Sequence, residues 1–242
     1  MKLLLAVSGG IDSMYMANRA SDFYPEASFD VAHCNFGLRG SESDGDEEFV
    51  REWCASRGLR CHVHRFATRE QAAREGRSIE MTARDQRYAW FSELCRQEGL
   101  DAVVVAHNAN DNAETMLLNL LRGTGVKGIR GMAQESLRDD GLKILRPMLG
   151  ISREEIRSWM TGRNLTWRED STNAENVVKR NILRNEIFPL LEKINPSFLP
   201  TLAADMERFS QVDDIAEDYF KESGFADCTD NVSVDKLLAL DH

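Results

Sequence analysis

The stretch Leu3-Leu4-Leu5-Ala6-Val7-Ser8-Gly9-Gly10-Ile11-Asp12-Ser13 decides how this chain is read. Apolar residues of strand length run straight into a turn of small residues, and a helical pattern follows. The two glycines let backbone N–H groups approach an anion without a Cβ in the way. Ser8 and Ser13 add hydroxyls, and a helix beginning near Asp12 turns its positive end toward the same point. No Gly-Lys-Ser/Thr follows and the glycines do not make G-x-G-x-x-G, so this is neither a Walker A loop nor a dinucleotide turn. A carboxylate inside the cradle repels phosphate unless Mg²⁺ lies between them. The stretch suits a site where ATP is cleaved and pyrophosphate is held, with Asp12 as metal ligand; the same letters also fit a plain strand-to-helix turn.

Outward from it, apolar runs at 3–7, 29–34, 60–66 and 102–106 alternate with helical patterns near 13–24, 44–57, 79–98 and 111–121. Such alternation predicts an α/β fold, a doubly wound parallel sheet covered by helices on both faces. Ligands of these sheets bind beyond the carboxyl ends of the strands. The first strand delivers the cradle there, the second His33-Cys34-Asn35 and the fourth His107-Asn108.

The texture then changes. Residues 122–131 are glycine-rich and basic and read as a flexible loop, and 134–143 read as a polar loop. Ser152 and Glu155 have the spacing of a capping box. Residues 180–191 read as a helix with a basic start. Pro196 and Pro200 are expected to break the chain before an acidic helix over 205–222 and a short element at 232–240. The expected division is a catalytic domain over 1–195, then a helical linker or the start of a further domain over 196–242.

The 242 residues carry a net charge of −10, which excludes a uniformly basic coat but leaves room for local basic clusters. A hydrophobic share of 42% beside 29% charged residues is ordinary for a globular chain with a core. Five cysteines without any C-x-x-C read as reduced thiols. The opening apolar run is too short for a signal peptide, and nothing approaches a membrane span. A cytoplasmic protein with no membrane partner is expected; a homodimer stays open.

Three constellations carry chemistry. In Ala106-His107-Asn108-Ala109-Asn110-Asp111-Asn112-Ala113-Glu114-Thr115, Asp111 and Glu114 share a helical face and could grip an ammonium group or a metal; acids favoured by a helix N-terminus explain them equally well. Arg84 and Arg87 share a face suited to phosphate oxygens, or to solvent. Arg122, Lys127 and Arg130 form one basic cluster and Lys179, Arg180 and Arg184 another, able to straddle a nucleic-acid backbone although charge clusters are usually plain surface. His62 and His64 alternate on a strand but lack further ligands for a metal.

In this order the pieces resemble the tRNA(Ile)-lysidine synthetases, PP-loop (N-type) ATP pyrophosphatases. Five blocks carry the resemblance: 8–13; His33-Cys34-Asn35-Phe36-Gly37-Leu38-Arg39; 78–88; 106–115 running into Leu121-Arg122-Gly123-Thr124-Gly125; and Arg146-Pro147 through Glu169-Asp170 to Arg180-Asn181-Ile182-Leu183-Arg184. The resemblance implies that ATP adenylates the C2 oxygen of the wobble cytidine in a CAU-anticodon tRNA(Ile), releasing pyrophosphate. The ε-amine of free L-lysine then attacks C2 and expels AMP. With a reference pKa of about 10.4 that amine must be deprotonated or desolvated by the site.

Carried onto this chain, the resemblance implies ATP contacts at Ser8, Gly9, Gly10, Ile11, Asp12, Ser13, Arg84, Arg87 and His107, with Mg²⁺ on Asp12 and with Asp12 and Arg87 serving adenylation. It places lysine on Asp111 and Glu114, and tRNA on Arg122, Lys127, Arg130, Arg180 and Arg184. Three positions depart from the family's habit: Asn108 and Phe36 stand where histidine is common, and Asn110 where aspartate is. No role is carried over at those three. Rival readings are a tRNA thiolase, which needs the absent C-x-x-C pairs, an amidotransferase-type synthetase, and an ATP-binding module without turnover.

Overall fold

The computed structural model describes residues 1–169 and 178–222. Asp170 of the fifth block and the element expected at 232–240 lie outside the described residues. In chain order the elements are β1 (Lys2–Ala6), α1 (Ile11–Asn18), α2 (Ala20–Phe23), β2 (Ser28–Asn35), α3 (Ser41–Ala55), β3 (Arg60–Arg65), α4 (Thr68–Glu75), α5 (Ile79–Glu98), β4 (Ala102–Val104), α6 (Ala109–Arg122) and α7 (Val126–Ile129). There follow β5 (Glu135–Leu137), β6 (Lys143–Leu145), α8 (Arg153–Thr161), α9 (Val178–Ile182), a π-helical turn (Leu183–Ile187), α10 (Phe188–Ile194) and α11 (Phe198–Glu222).

The six strands lie in the order β3-β2-β1-β4-β6-β5, and all neighbours are parallel except β5 with β6. β1 is apolar throughout its middle because a parallel strand is covered on both faces. Leu3 and Leu5 turn to one side, where Met14 and Met16 of α1, Val50 of α3 and Ile156 and Met160 of α8 close the core. Leu4 turns to the other, against Tyr88, Phe91 and Leu94 of α5. A third cluster joins Ala113 and Leu118 of α6 to Leu183, Phe188 and Phe198. Strand order reverses between β1 and β4, so the crevice beyond their carboxyl ends is the natural ligand site.

The predicted α/β sheet is present with one antiparallel edge. Residues 134–143, expected as a loop, supply β5 and the start of β6, paired Glu135 to Leu145 and Leu137 to Lys143. An edge strand with one exposed face needs no apolar run, so periodicity missed it. The turn signal was there in Asp139-Asp140-Gly141, where the Gly141 N–H donates to the Arg138 carbonyl at 2.9 Å.

The basic stretch 122–131, expected to be flexible, contains α7 and is tied to α11 by Lys127 to Glu217 at 3.5 Å and Arg130 to Asp213 at 2.7 Å. Gly131, at φ +72°, sits where a Cβ would come within 2.5 Å of Asn112 Oδ1 and Met206 Sδ. That contact sets the seam between α6 and α11. Pro200 does not break the chain: it lies in the first turn of α11, where a missing N–H leaves no helical bond unmade, so this helix starts at Phe198 rather than 205. The expected capping box at α8 is present, Ser152 Oγ accepting from the Glu155 N–H and Glu155 from the Ser152 N–H.

Candidate functional site

The cradle is built from its hydroxyls and glycines. Gly9 has φ +96°, a left-handed conformation reserved in practice for glycine. Ser13 Oγ accepts from the N–H groups of Ser8 at 3.1 Å and Gly9 at 3.2 Å and donates to the Gly10 carbonyl at 2.9 Å. Gly10 caps α1 without a side-chain acceptor, leaving the first helical N–H groups open to an anion. The loop is braced from both sides. His33 Nδ1 donates to the Val7 carbonyl at 2.9 Å, which makes His33 a scaffold. The Arg168 N–H donates to the Gly9 carbonyl at 2.9 Å while its Nε donates to Asp46 Oδ1 at 3.0 Å.

A cavity of about 280 Å³ opens beside the cradle, lined by Ser8, Asp12 and Ser13 on one side and by Cys34, Phe36, Arg87, Tyr88 and His107 on the other. Arg87 lies over the Phe36 ring at 5.3 Å and Arg84 over Tyr88 at 5.1 Å. Phe36 is itself stacked on Phe66 at 5.2 Å. Among the described residues neither Arg84 nor Arg87 has a carboxylate within ion-pair distance, so both keep their charge for an incoming anion. Burial pushes the Cys34 thiol up to about 12, so it stays protonated beside Arg87. His107 is pushed down to about 4, chiefly by burial, with Arg146, Arg84 and Arg180 adding to the effect against Asp111. Its Nδ1 is buried without a hydrogen-bond partner.

Carboxylates form the opposite rim. Asn108 caps α6 by accepting from the Asp111 N–H at 3.0 Å, and its amide donates to Asp12 Oδ1 at 3.1 Å. Asp111 closes the capping box on the Asn108 N–H. Burial holds the Asp12 carboxyl above its usual range; Asp111 reinforces that, and Arg153, Asn108 and Arg184 oppose it. Asn110 accepts from the Arg153 N–H at 2.9 Å. Glu114 is fully buried, with Oε1 accepting two bonds from Arg184 at 2.8 and 2.9 Å, and Oε2 without a hydrogen-bond partner, 3.9 Å from Arg180. Burial raises its carboxyl, and Arg184 opposes the rise.

The residues singled out in the sequence therefore divide. Ser8 to Ser13, Arg87, His107, Asp111 and Glu114 converge on one crevice, with Arg84 beside it on Tyr88. Arg180 and Arg184 face inward to Glu114 rather than outward as free surface. Lys127 and Arg130 are paired to α11, while Arg122 is exposed with no ion-pair partner among the described residues. Sequence reasoning passed over Arg153, whose Nη2 stands 3.6 Å from both Asp12 and Asp111, and Arg168. Arg153 was visible only as a residue of the α8 capping box. Asp30, His62 and Glu98 come together on β2, β3 and α5, but Arg60 already pairs with both acids. Among the described residues no helix is long and apolar enough to cross a membrane.

Residues 1–191 match a family described as the PP-loop domain. The chain is 41% identical to the tRNA(Ile)-lysidine synthase of Porphyromonas gingivalis over 210 residues, 87% of this chain and 45% of that protein. It is 41% identical to that of Chlorobaculum tepidum over 213 residues, 86% of this chain and 61% of that protein. The chain spans about half the length of the curated relatives it matches. Among solved structures it is similar to the U34-tRNA thiolase NcsA from Methanococcus maripaludis with its [4Fe-4S] cluster, at TM-score 0.71 and 19% identity, covering 86% of this chain and 72% of that one. At that identity the likeness is one of fold.

Proposed function

We infer the reaction from a single premise: the chain belongs to the PP-loop domain family, an ATP-binding family. It ligates free lysine to C2 of the wobble cytidine of CAU-anticodon tRNA(Ile), through an adenylated cytidine, with release of pyrophosphate and then AMP. The curated relatives named tRNA(Ile)-lysidine synthase support this substrate pair. The observation that carries it is that the cradle, Arg87 and the Asp12–Asp111 rim all meet at one crevice.

The cradle N–H groups and Ser13 hold the phosphates, and Arg84 and Arg87 take the charge on the transferring side. Asp12 fits Mg²⁺, since it is a carboxylate beside an anion cradle with a second carboxylate, Asp111, on the same rim; a bound Mg²⁺ would neutralise phosphate charge there. Arg87, braced by Phe36, faces the α-phosphoryl group as the C2 oxygen attacks it. Asp111, with the unpaired Oε2 of Glu114 behind it, receives the α-ammonium of lysine, which leaves the ε-amine uncharged by contact and free to attack. Arg122, Lys127, Arg130, Arg180 and Arg184 belong to the tRNA-facing side. The division into a catalytic domain over 1–195 and a helical region over 196–242, and a cytoplasmic setting beside tRNA, belong to the same reading.

The test is to incubate the chain with ATP, Mg²⁺, the isoleucine tRNA and lysine and to measure pyrophosphate and digested nucleosides by mass spectrometry. Pyrophosphate dependent on tRNA, and lysidine dependent on lysine, are expected. Release driven by glutamine or ammonia instead would move the chain to the amidotransferase group, and nucleotide binding without release would make it a module.

A further inference from the structure

An amino acid carries two opposite charges on one carbon. A site that grips only the ammonium leaves the neighbouring carboxylate facing the site's own acids. On the ligation reading above, Asp111 and Glu114 answer the ammonium and nothing answers the carboxylate. We propose that Arg153 binds the α-carboxylate of the free amino-acid substrate, so that Arg153 and Asp111 together read its zwitterionic head.

Placement comes from the backbone. Arg153 is the first residue of α8, and its N–H is pinned by Asn110 Oδ1 at 2.9 Å, which fixes the start of α8 against the start of α6. From there the guanidinium reaches the rim, with Nη2 3.6 Å from Asp12 Oδ2 and 3.6 Å from Asp111 Oδ1. Both separations are ion-pair distances too long for hydrogen bonds. The group is therefore held by charge while its donors stay uncommitted among the described residues.

The other arginines near the rim differ. Arg184 commits two donors to Glu114, Arg146 donates to the Ala133 carbonyl and Ser136, and Arg168 donates to Asp46. Arg84 and Arg87 lie against aromatic rings, by Tyr88 and on the wall facing Asp12. Arg153 is also reachable, its side chain 29% exposed beside an Asp111 that is 14% exposed. A planar fork with free N–H groups matches a carboxylate in two bonds. A cation and an anion 3.6 Å apart suit charges borne by neighbouring substituents of one carbon. Asp12 adds an order to binding: once it turns to a metal, Arg153 keeps one carboxylate neighbour instead of two and attracts the substrate more strongly.

The experiment compares three nucleophiles on the same protein: L-lysine, lysinamide, in which the carboxylate is neutralised, and cadaverine, in which it is absent. Wild type, Arg153→Ala and Arg153→Lys are assayed for kcat/KM with each, and lysine binding is measured by calorimetry. Wild type should prefer lysine to both analogues by about tenfold or more, the worth of a charge-assisted pair of bonds. Arg153→Ala should lose about ten- to a hundredfold with lysine and far less with cadaverine, collapsing the preference, and Arg153→Lys should fall between. Retained cadaverine turnover shows that the variant is folded. Equal losses with all three nucleophiles, or an unchanged lysine Kd in Arg153→Ala, overturn the assignment. A wild-type protein that turns over ATP and tRNA but takes no lysine overturns the ligation reading and this one with it.

Discussion

Asn108 donates its amide to Asp12 Oδ1 at 3.1 Å across 96 residues of sequence, while its own Oδ1 caps α6. One side chain thus ties the carboxylate of the cradle to the helix that carries Asp111 and Glu114. Both of its hydrogen-bonding ends are in use, which explains how an amide serves at a position where the family commonly has histidine.

Asn108→Asp keeps the cap and places a third carboxylate against Asp12; Asn108→Ala loses the cap but adds no charge. The aspartate variant should melt close to wild type yet release pyrophosphate more slowly than the alanine variant, which should be destabilised by about 1 kcal/mol. Denaturant melts and pyrophosphate assays, run on both proteins, check the crossing of the two orders.

Asp111 caps α6 as well as facing the rim, so its two roles need separate variants. Asp111→Asn keeps an acceptor for the capping box and removes the charge. It should hold stability within about 0.5 kcal/mol while raising the lysine concentration needed for half-saturation at least tenfold. Adenylation of tRNA without lysine should survive. Unchanged lysine saturation would mean that the amino acid binds elsewhere.

Glu114 and Arg184 form an ion pair with one member wholly buried and the other about a quarter exposed, at 27%. Glu114→Ala and Arg184→Ala should each cost about 2–4 kcal/mol, because each leaves an opposite charge without its partner. The double variant should cost clearly less than the sum. A double-mutant cycle on urea melts measures the coupling.

His107 is held down to about 4 by burial, below the ordinary histidine value of about 6.5. Between those two values the unfolded chain takes a proton that the folded chain refuses. Stability is therefore complete above about pH 6.5 and falls as the pH drops toward 4. His33 is lowered for the same reason and acts in the same direction. Moving from pH 7.5 to 5, the wild type should lose on the order of 1–2 kcal/mol more than His107→Asn. Equal losses in the two proteins would show that His107 titrates normally.

What was legible in the sequence follows from how each part is stabilised. β1, β2 and β4 are apolar because the sheet buries them, and the cradle announces itself through glycines that a tight turn demands. β5 is half exposed, and nothing in Glu135-Ser136-Leu137 marks it apart from the turn that follows. Asp111 and Glu114 were rightly paired by their spacing, but spacing gave no hint that Glu114 would be sealed behind Arg184, a partner 70 residues away. Arg153 shows the same limit. Its capping box is local and readable, whereas its place between two carboxylates arises only when α8 packs beside α6.

The π-helical turn at Leu183–Ile187 fixes the length of its segment to the residue. Arg180 lies ahead of it and Arg184 at its start, both facing Glu114; Phe188 follows immediately and packs edge-on against Phe198. Removing a single residue from that widened turn would restore ordinary winding and swing everything after it by about 100°. The chain could then satisfy its sealed carboxylate or seat its aromatic anchor, but not both. A shortened version of this segment should therefore survive only alongside a compensating change at Phe198 or Glu114.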